Sequence, residues 1–216
     1  MSVDAIGLSA NLLKAVKACG YKNLTPIQQQ AIPIIRTGVD LLASAQTGTG
    51  KTAAFALPIL QLLLDRLAPE KKPKRIKSLI VTPTRELCLQ IEANFKSYAK
   101  HTDLTTTAVY GGVSLAPQKE ILKEGVDILI ATPGRLIDLH KQGAIDLRAI
   151  EIFVLDEADL MLDMGFINDV TTIESLCPRK KQSLLFSATI PDKIVALSET
   201  MIKNPITIKI NPAETT

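Results

Sequence analysis

Ala45-Gln46-Thr47-Gly48-Thr49-Gly50-Lys51-Thr52 is the stretch whose reading decides the fold. The apolar run Asp40-Leu41-Leu42-Ala43-Ser44 precedes it and reads as a buried strand. Ala53-Ala54-Phe55-Ala56-Leu57 follows and reads as the start of an apolar helix. A strand, a glycine-rich turn ending in Lys-Thr, and a helix make a cradle for phosphate. Gly48 and Gly50 let the backbone curl so that successive N–H groups face inward, and the helix N-terminus adds its partial positive charge. Lys51 reaches towards the β- and γ-phosphates of a bound nucleotide, and the Thr52 hydroxyl is set to ligate Mg²⁺. The usual pattern opens with Gly where this chain has Ala45. An ordinary glycine turn is the competing reading, but it does not explain Gly-Lys-Thr at a strand-to-helix junction.

Working outward, Asp156-Glu157-Ala158-Asp159 closes another apolar strand, Ile152 to Leu155. A carboxylate such as Asp156 in that position suits Mg²⁺, which gives up water reluctantly and takes few protein ligands. Glu157, one residue on, can orient or deprotonate an attacking water. An acidic helix start favoured by the dipole accounts for the charge but not for the buried strand before it.

Further strands are expected at 79–81, 105–110, 127–131, 183–186 and 206–210, and helices at 9–19, from Pro26, from 51 to about 67, and at 86–99, 114–124 and 192–202. Ser9 is read as a cap for the first helix, and a short helix is expected after Arg135. The strands are continuous apolar runs, the mark of a mostly parallel sheet with helices on both faces. The polar motifs fall just after strands, at the carboxyl edge where open α/β sheets bind ligands.

Composition narrows the class further. The 216 residues are 46% hydrophobic and 22% charged, enough for a core without staples. Cys19, Cys88 and Cys177 are scattered, with no C-x-x-C pair, which indicates neither a disulfide framework nor zinc and favours a reducing, cytoplasmic setting. No apolar run approaches the roughly 20 residues needed to span a bilayer, and Met1-Ser2-Val3-Asp4 lacks the marks of a signal peptide. A net charge of +3 permits a polyanionic partner without requiring one. With no Trp and 4% aromatics, base stacking is not expected to dominate nucleic-acid binding.

The motifs together resemble the first RecA-like domain of a DEAD-box ATP-dependent RNA helicase. In order they are Gly20-Tyr21 with Thr25-Pro26-Ile27-Gln28, Ala45 to Thr52, Pro83-Thr84-Arg85-Glu86-Leu87, Gly111-Gly112, Thr132-Pro133-Gly134-Arg135, Asp156 to Asp159, and Ser187-Ala188-Thr189. Each is weak singly; seven in order are not coincidence. Gly7-Leu8-Ser9 with Leu162-Asp163-Met164-Gly165-Phe166 looks most like the bacterial RhlE-type branch.

The resemblance implies a role for each motif. Gln28 would read the adenine edge with its amide and Tyr21 would stack on the ring, so truncating Gln28 is expected to weaken nucleotide binding and leave thermal stability nearly unchanged. Read as bare residues, Gln28 is a solvated helix position, and Val3 and Leu24 depart from the usual Phe and Pro. Pro83, Thr84, Arg85, Gly111, Gly112, Thr132, Gly134 and Arg135 would grip RNA by its backbone, with turn amides, hydroxyls and guanidinium groups suited to phosphate. Ser187 and Thr189 resemble the motif that couples hydrolysis to unwinding, and complete a catalytic set with Lys51, Asp156 and Glu157. The implied organisation is a Gln28-bearing region at 1–37 packed on the core, the ATP-binding domain at 38–210, and the start of an interdomain linker at 211–216. The partners are RNA and a second RecA-like domain that supplies arginines; without it the domain is expected to turn over slowly. A non-catalytic nucleotide-responsive RNA-binding domain and a P-loop ATPase working on DNA or protein are the competing functions. Lys71, Lys72, Lys74, Arg75 and Lys77 read as a solvated loop, His101 and His140 as surface residues, and Met161, Met164 and Phe166 as packing.

Overall fold

Residues 1–66 and 74–210 are described by the structure, a computed structural model. The linker reading at 211–216 and Lys71 and Lys72 lie outside them. In chain order, a 3₁₀ turn at Val3–Ile6 leads to α1 (Ala10–Ala18), α2 (Pro26–Arg36), β1 (Leu41–Ser44) and α3 (Lys51–Arg66). Then come β2 (Ser78–Val81), α4 (Arg85–Tyr98), β3 (Thr106–Val109), α5 (Ala116–Lys123), β4 (Ile128–Ala131) and α6 (Pro133–Lys141). The chain continues through β5 (Ile152–Leu155), α7 (Ala158–Asp163), α8 (Ile167–Leu176), β6 (Gln182–Ser187), α9 (Asp192–Met201) and β7 (Ile206–Lys209).

The seven strands form one sheet in the order β3-β4-β2-β5-β6-β1-β7, and every pairing among them is parallel. Strand alternation splits each apolar run between two cores. Ile80, Ile128, Ile130, Ile152, Val154, Leu184 and Phe186 face the first, with α1 to α4. Leu79, Val81, Leu129, Phe153, Leu155 and Leu185 face the second, with α6 to α9. Helices on both faces bury the sheet twice, which is why these strands read as unbroken hydrophobic runs.

β7 is the exception. It pairs only with β1, and of its four residues Ile208 alone is buried, so the apolar run ending the chain is an edge strand that alternates. α7 and α8 were not expected from the sequence. Gly165, at φ 81°, breaks 158–176 into two short polar helices whose few inward residues, Met161, Val170 and Ile173, give little periodic signal.

Ser9 stands before α1 but its hydroxyl caps nothing: it is buried without a partner, while its backbone N–H donates to Gln61 Oε1 at 2.7 Å. Val3 is buried in the first core with Leu12, Val16, Leu24 and Ile27. Its backbone N–H donates to the Lys22 carbonyl at 3.1 Å.

Candidate nucleotide site and nucleic-acid groove

Two assemblies occupy the carboxyl edge of the sheet. The first is the turn between β1 and α3. Ala45 extends β1, its N–H bonded to the Ser187 carbonyl at 3.0 Å, and its backbone is not left-handed, so the missing Gly costs nothing there. Gly50 does need to be glycine. Its φ is +90°, and a Cβ would come within 2.5 Å of Gln28 Nε2. Gln46, Thr47 and Gly48 are exposed, and the Thr49 hydroxyl closes the turn by donating to the Gln46 carbonyl at 2.7 Å.

Lys51 opens α3 and is almost buried, with its Nζ 2.9 Å from Glu157 Oε1. Glu157 sits at φ 55°, ψ 50°, a left-handed backbone that a side chain rarely adopts. Beside it, Asp156 is 4% exposed and its Oδ1 has no hydrogen-bond partner among the described residues. Burial pushes its carboxyl up to about 7; the Lys51 charge opposes this and the Glu157 charge reinforces it. Thr52, half-buried in the first turn of α3, supplies a second hard oxygen. An orphaned carboxylate oxygen and a hydroxyl fit a hard cation such as Mg²⁺, which prefers oxygen and keeps most of its water.

Gln28 departs from the solvated position expected of the bare residue. It is 1% exposed, accepts from the Thr25 N–H at 3.0 Å and donates to the Gly50 carbonyl at 3.2 Å. Its amide thus ties α2 to the phosphate turn, and truncation will cost stability. Tyr21 meets Tyr98 of α4 edge-on, ring centroids 5.8 Å apart, with the two hydroxyls 2.7 Å apart.

The Ser187-Ala188-Thr189 segment is joined to this site through Asp159. The Asp159 N–H donates to the Ser187 hydroxyl at 3.1 Å, and the Thr189 N–H and hydroxyl each donate to Asp159 Oδ2 at 3.0 Å. Partial burial alone would raise the Asp159 carboxyl, but these donors outweigh it and hold it below its ordinary value. Asp159 was visible only as the last letter of its motif; its partners lie about thirty residues on, beyond any local pattern.

The second assembly is a groove of about 570 Å³ lined by residues that include Pro83, Thr84, Arg85, Gly111, Thr132, Gly134 and Arg135. Three motifs distant in sequence meet here because β2, β3 and β4 are parallel and end together. The Thr84 hydroxyl caps α4 by accepting from Leu87 N–H at 3.3 Å. Arg85 is exposed over the Tyr110 ring, 5.2 Å from its centroid. Arg135 donates through Nη2 to the Val113 carbonyl at 2.8 Å, and its Nη1 is buried without a partner. Gly112 turns at φ 77°. Met164, expected as packing, is 47% exposed and lines this groove with Phe166, whereas Met161 is core.

The larger clefts, about 670 and 710 Å³, lie at the opposite edge of the sheet. Lys74 and Lys77, read from sequence as a solvated loop, are ion-paired there with Asp127 and Glu151. His101 and His140 are half-buried rather than on the open surface. No helix among the described residues is long and apolar enough to cross a membrane.

Comparison with known proteins matches this geometry. The family model for DEAD/DEAH box helicases matches residues 25–197. The DEAD-box ATP-dependent RNA helicase RhpA of Helicobacter pylori (strain B128) is 45% identical over 215 residues, covering 100% of this chain and 42% of RhpA. The DEAD-box ATP-dependent RNA helicase CshA of Streptococcus pneumoniae serotype 4 is 42% identical over 216 residues, covering 100% of this chain and 40% of CshA. The chain therefore spans about two fifths of the length of these relatives. The crystal structure of a DEAD box protein from the hyperthermophile Methanococcus jannaschii is similar at TM-score 0.90 and 37% identity, over 98% of this chain and 56% of that one. A hypothetical ATP-dependent RNA helicase from Sulfolobus tokodaii is similar at TM-score 0.85 and 39% identity, over 94% and 57%. The parallel sheet with helices on both faces is the RecA-like fold shared with these structures.

Proposed function

The chain belongs to the DEAD/DEAH box helicase family, and on that premise we propose that it is the ATP-binding half of an RNA-dependent ATPase that unwinds or remodels RNA duplexes. The observation that carries this reading is the placing of the Lys51–Glu157 pair and the groove of Arg85, Gly111 and Arg135 on one edge of one sheet.

Lys51 and Glu157 neutralise one another while buried, and separating such a pair without replacement is costly. Triphosphate oxygens give Lys51 a new counter-charge. Glu157 is then free to orient the attacking water and accept its proton. Thr52 and Asp156 would hold Mg²⁺, which when bound neutralises charge on the phosphate oxygens. Asp159, bonded to Ser187 and Thr189, links the strand end that carries Glu157 to the end of β6. A change at the phosphates therefore has a hydrogen-bonded route into the second helical layer.

Gln28 and Tyr21 would select adenine, with the Gln28 amide exchanging an internal bond for the base edge. The RNA contacts are to the backbone, with little sequence preference. A second RecA-like domain, in the remaining length that RhpA and CshA have, would supply arginines to the transferring phosphate. Assignment to the RhlE-type branch rests on Gly7-Leu8-Ser9 and Leu162 to Phe166. A cytoplasmic setting rests on three free cysteines. The deciding experiment compares ATP turnover with and without RNA, in this chain and in the full-length protein. RNA stimulation in the full-length protein supports the helicase reading; nucleotide binding without turnover in either would favour a purely responsive binding domain.

A further inference from the structure

Among the described residues, β3 lies at the edge of the sheet and pairs only with β4. Its outward backbone groups have no strand to meet. Side chains cover them instead: Glu92 Oε1 accepts from the Ala108 N–H at 3.2 Å, and Gln118 takes both backbone groups of Tyr110, the residue directly after the strand. Gln118 Oε1 accepts from the Tyr110 N–H at 3.2 Å, and its Nε2 donates to the Tyr110 carbonyl at 3.1 Å. A primary amide presents one acceptor and two donors, so Gln118 stands in for a residue of the absent neighbouring strand. Gln118 is 8% exposed, and both bonds are partly buried.

Tyr110 also supports one residue of the groove. Its ring lies beneath the Arg85 guanidinium, and the next two residues are Gly111 and Gly112. Side chains alternate faces along a strand, so the backbone of Tyr110 must stay extended for its ring to remain under Arg85. On the far side of the turn, Arg135 holds the Val113 carbonyl. The turn is thus pinned at both ends.

We infer that Gln118 is a positioning residue for RNA binding, acting through Tyr110 on Arg85. This rests on the reading of the groove as the RNA site. Gln118 touches no RNA itself; it sets the direction from which Arg85 meets a phosphate.

The test is binding of a fluorescein-labelled oligouridylate to the 216-residue chain by anisotropy, with ADP affinity measured on the same samples. Arg85→Ala, which removes a charge-assisted contact, should weaken RNA binding about tenfold. Gln118→Met keeps the length of the side chain and deletes both bonds, and should cost about fivefold. Tyr110→Leu keeps those bonds and removes the ring, and should match it; this variant decides the matter if Gln118→Met does not fold. Because Gln118 acts through Arg85, the Gln118→Met/Arg85→Ala double variant should bind no worse than Arg85→Ala alone. ADP affinity should be unchanged throughout. Multiplied losses in the double variant, or a parallel loss of ADP affinity, would overturn the inference by showing a general structural role. A tenfold loss in Arg85→Ala beside normal binding by Gln118→Met would overturn it alone. Normal binding by Arg85→Ala would overturn the groove reading and this inference with it.

Discussion

The proposed nucleotide site and the proposed RNA groove share one edge of one sheet and are built on opposite terms. At the first, Lys51, Asp156 and Glu157 are all buried, one backbone is left-handed and one carboxylate oxygen is orphaned. At the second, Arg85 is exposed on a ring, Thr84 caps a helix, and Gly111 and Gly134 are open to solvent. A compact, densely charged ligand demands charges held in place beforehand, at a cost the ligand-free fold must carry. A polymer backbone demands donors near the surface, and apart from the buried Arg135 Nη1 these cost the fold little. The nucleotide site should therefore respond to substitution with large, opposed effects on function and stability, and the groove with small effects on affinity alone.

The sharpest challenge to that contrast is Glu157→Gln in the full-length protein. The change is nearly isosteric and leaves Asp156 in place, so ATP should still bind while hydrolysis falls by about 10²–10⁴-fold. Near-normal turnover would show that Glu157 is not the base.

Asp156→Asn should trade function for stability. Asp156 ionises at about 7 in the fold against an ordinary 3.8, so the native state holds its proton more tightly than the unfolded chain does. Below the unfolded value both states are protonated and nothing is lost. As pH rises through that window the native state is penalised, by up to about 4 kcal/mol once above the folded value. In EDTA, Asp156→Asn should raise the unfolding midpoint at mildly alkaline pH, and the gain should vanish in acid. Binding of ATP with Mg²⁺ should weaken in the same variant. A variant less stable than the parent at alkaline pH would break the contrast.

Gln28→Ala lies between the two extremes. Loss of its bonds to Thr25 and Gly50 should cost about 1–3 kcal/mol, seen in urea unfolding, and ADP binding should weaken more than GDP binding. Equal affinity for the two nucleotides in the parent chain would remove Gln28 as an adenine reader. A smaller effect, on affinity alone, is expected from Arg135→Ala: about a tenfold loss of RNA affinity, similar for unrelated single strands and steeper at low salt. A large difference between a poly-U strand and a mixed one would break the backbone-only reading.

How far the sequence reached depends on the range of the interactions involved. Residues 45–52 announce a strand, turn and helix because each is a local pattern, and the apolar runs at 79–81, 128–131 and 152–155 announce a parallel sheet because burial on both faces removes alternation. Even the misplaced elements follow this rule. α7 and α8 bury too few residues at helical spacing to signal themselves, and Ser9 matched a cap by type although its hydroxyl meets no N–H.

By itself the sequence determined the chemical groups of the edge: which residues carry turn amides, carboxylates, hydroxyls and guanidinium groups, each just after a strand. The tertiary structure alone decided which of these meet. Gln28 is buried against Gly50, 22 positions away. Lys51 faces Glu157 across 106 positions, and Asp159 reaches Thr189 across 30. Gln118 serves Tyr110 because β3 is an edge strand, a consequence of strand order that no single strand encodes. Periodicity specifies which face of an element is apolar, whereas partnership across a sheet is set by how all seven strands and their covering helices pack together.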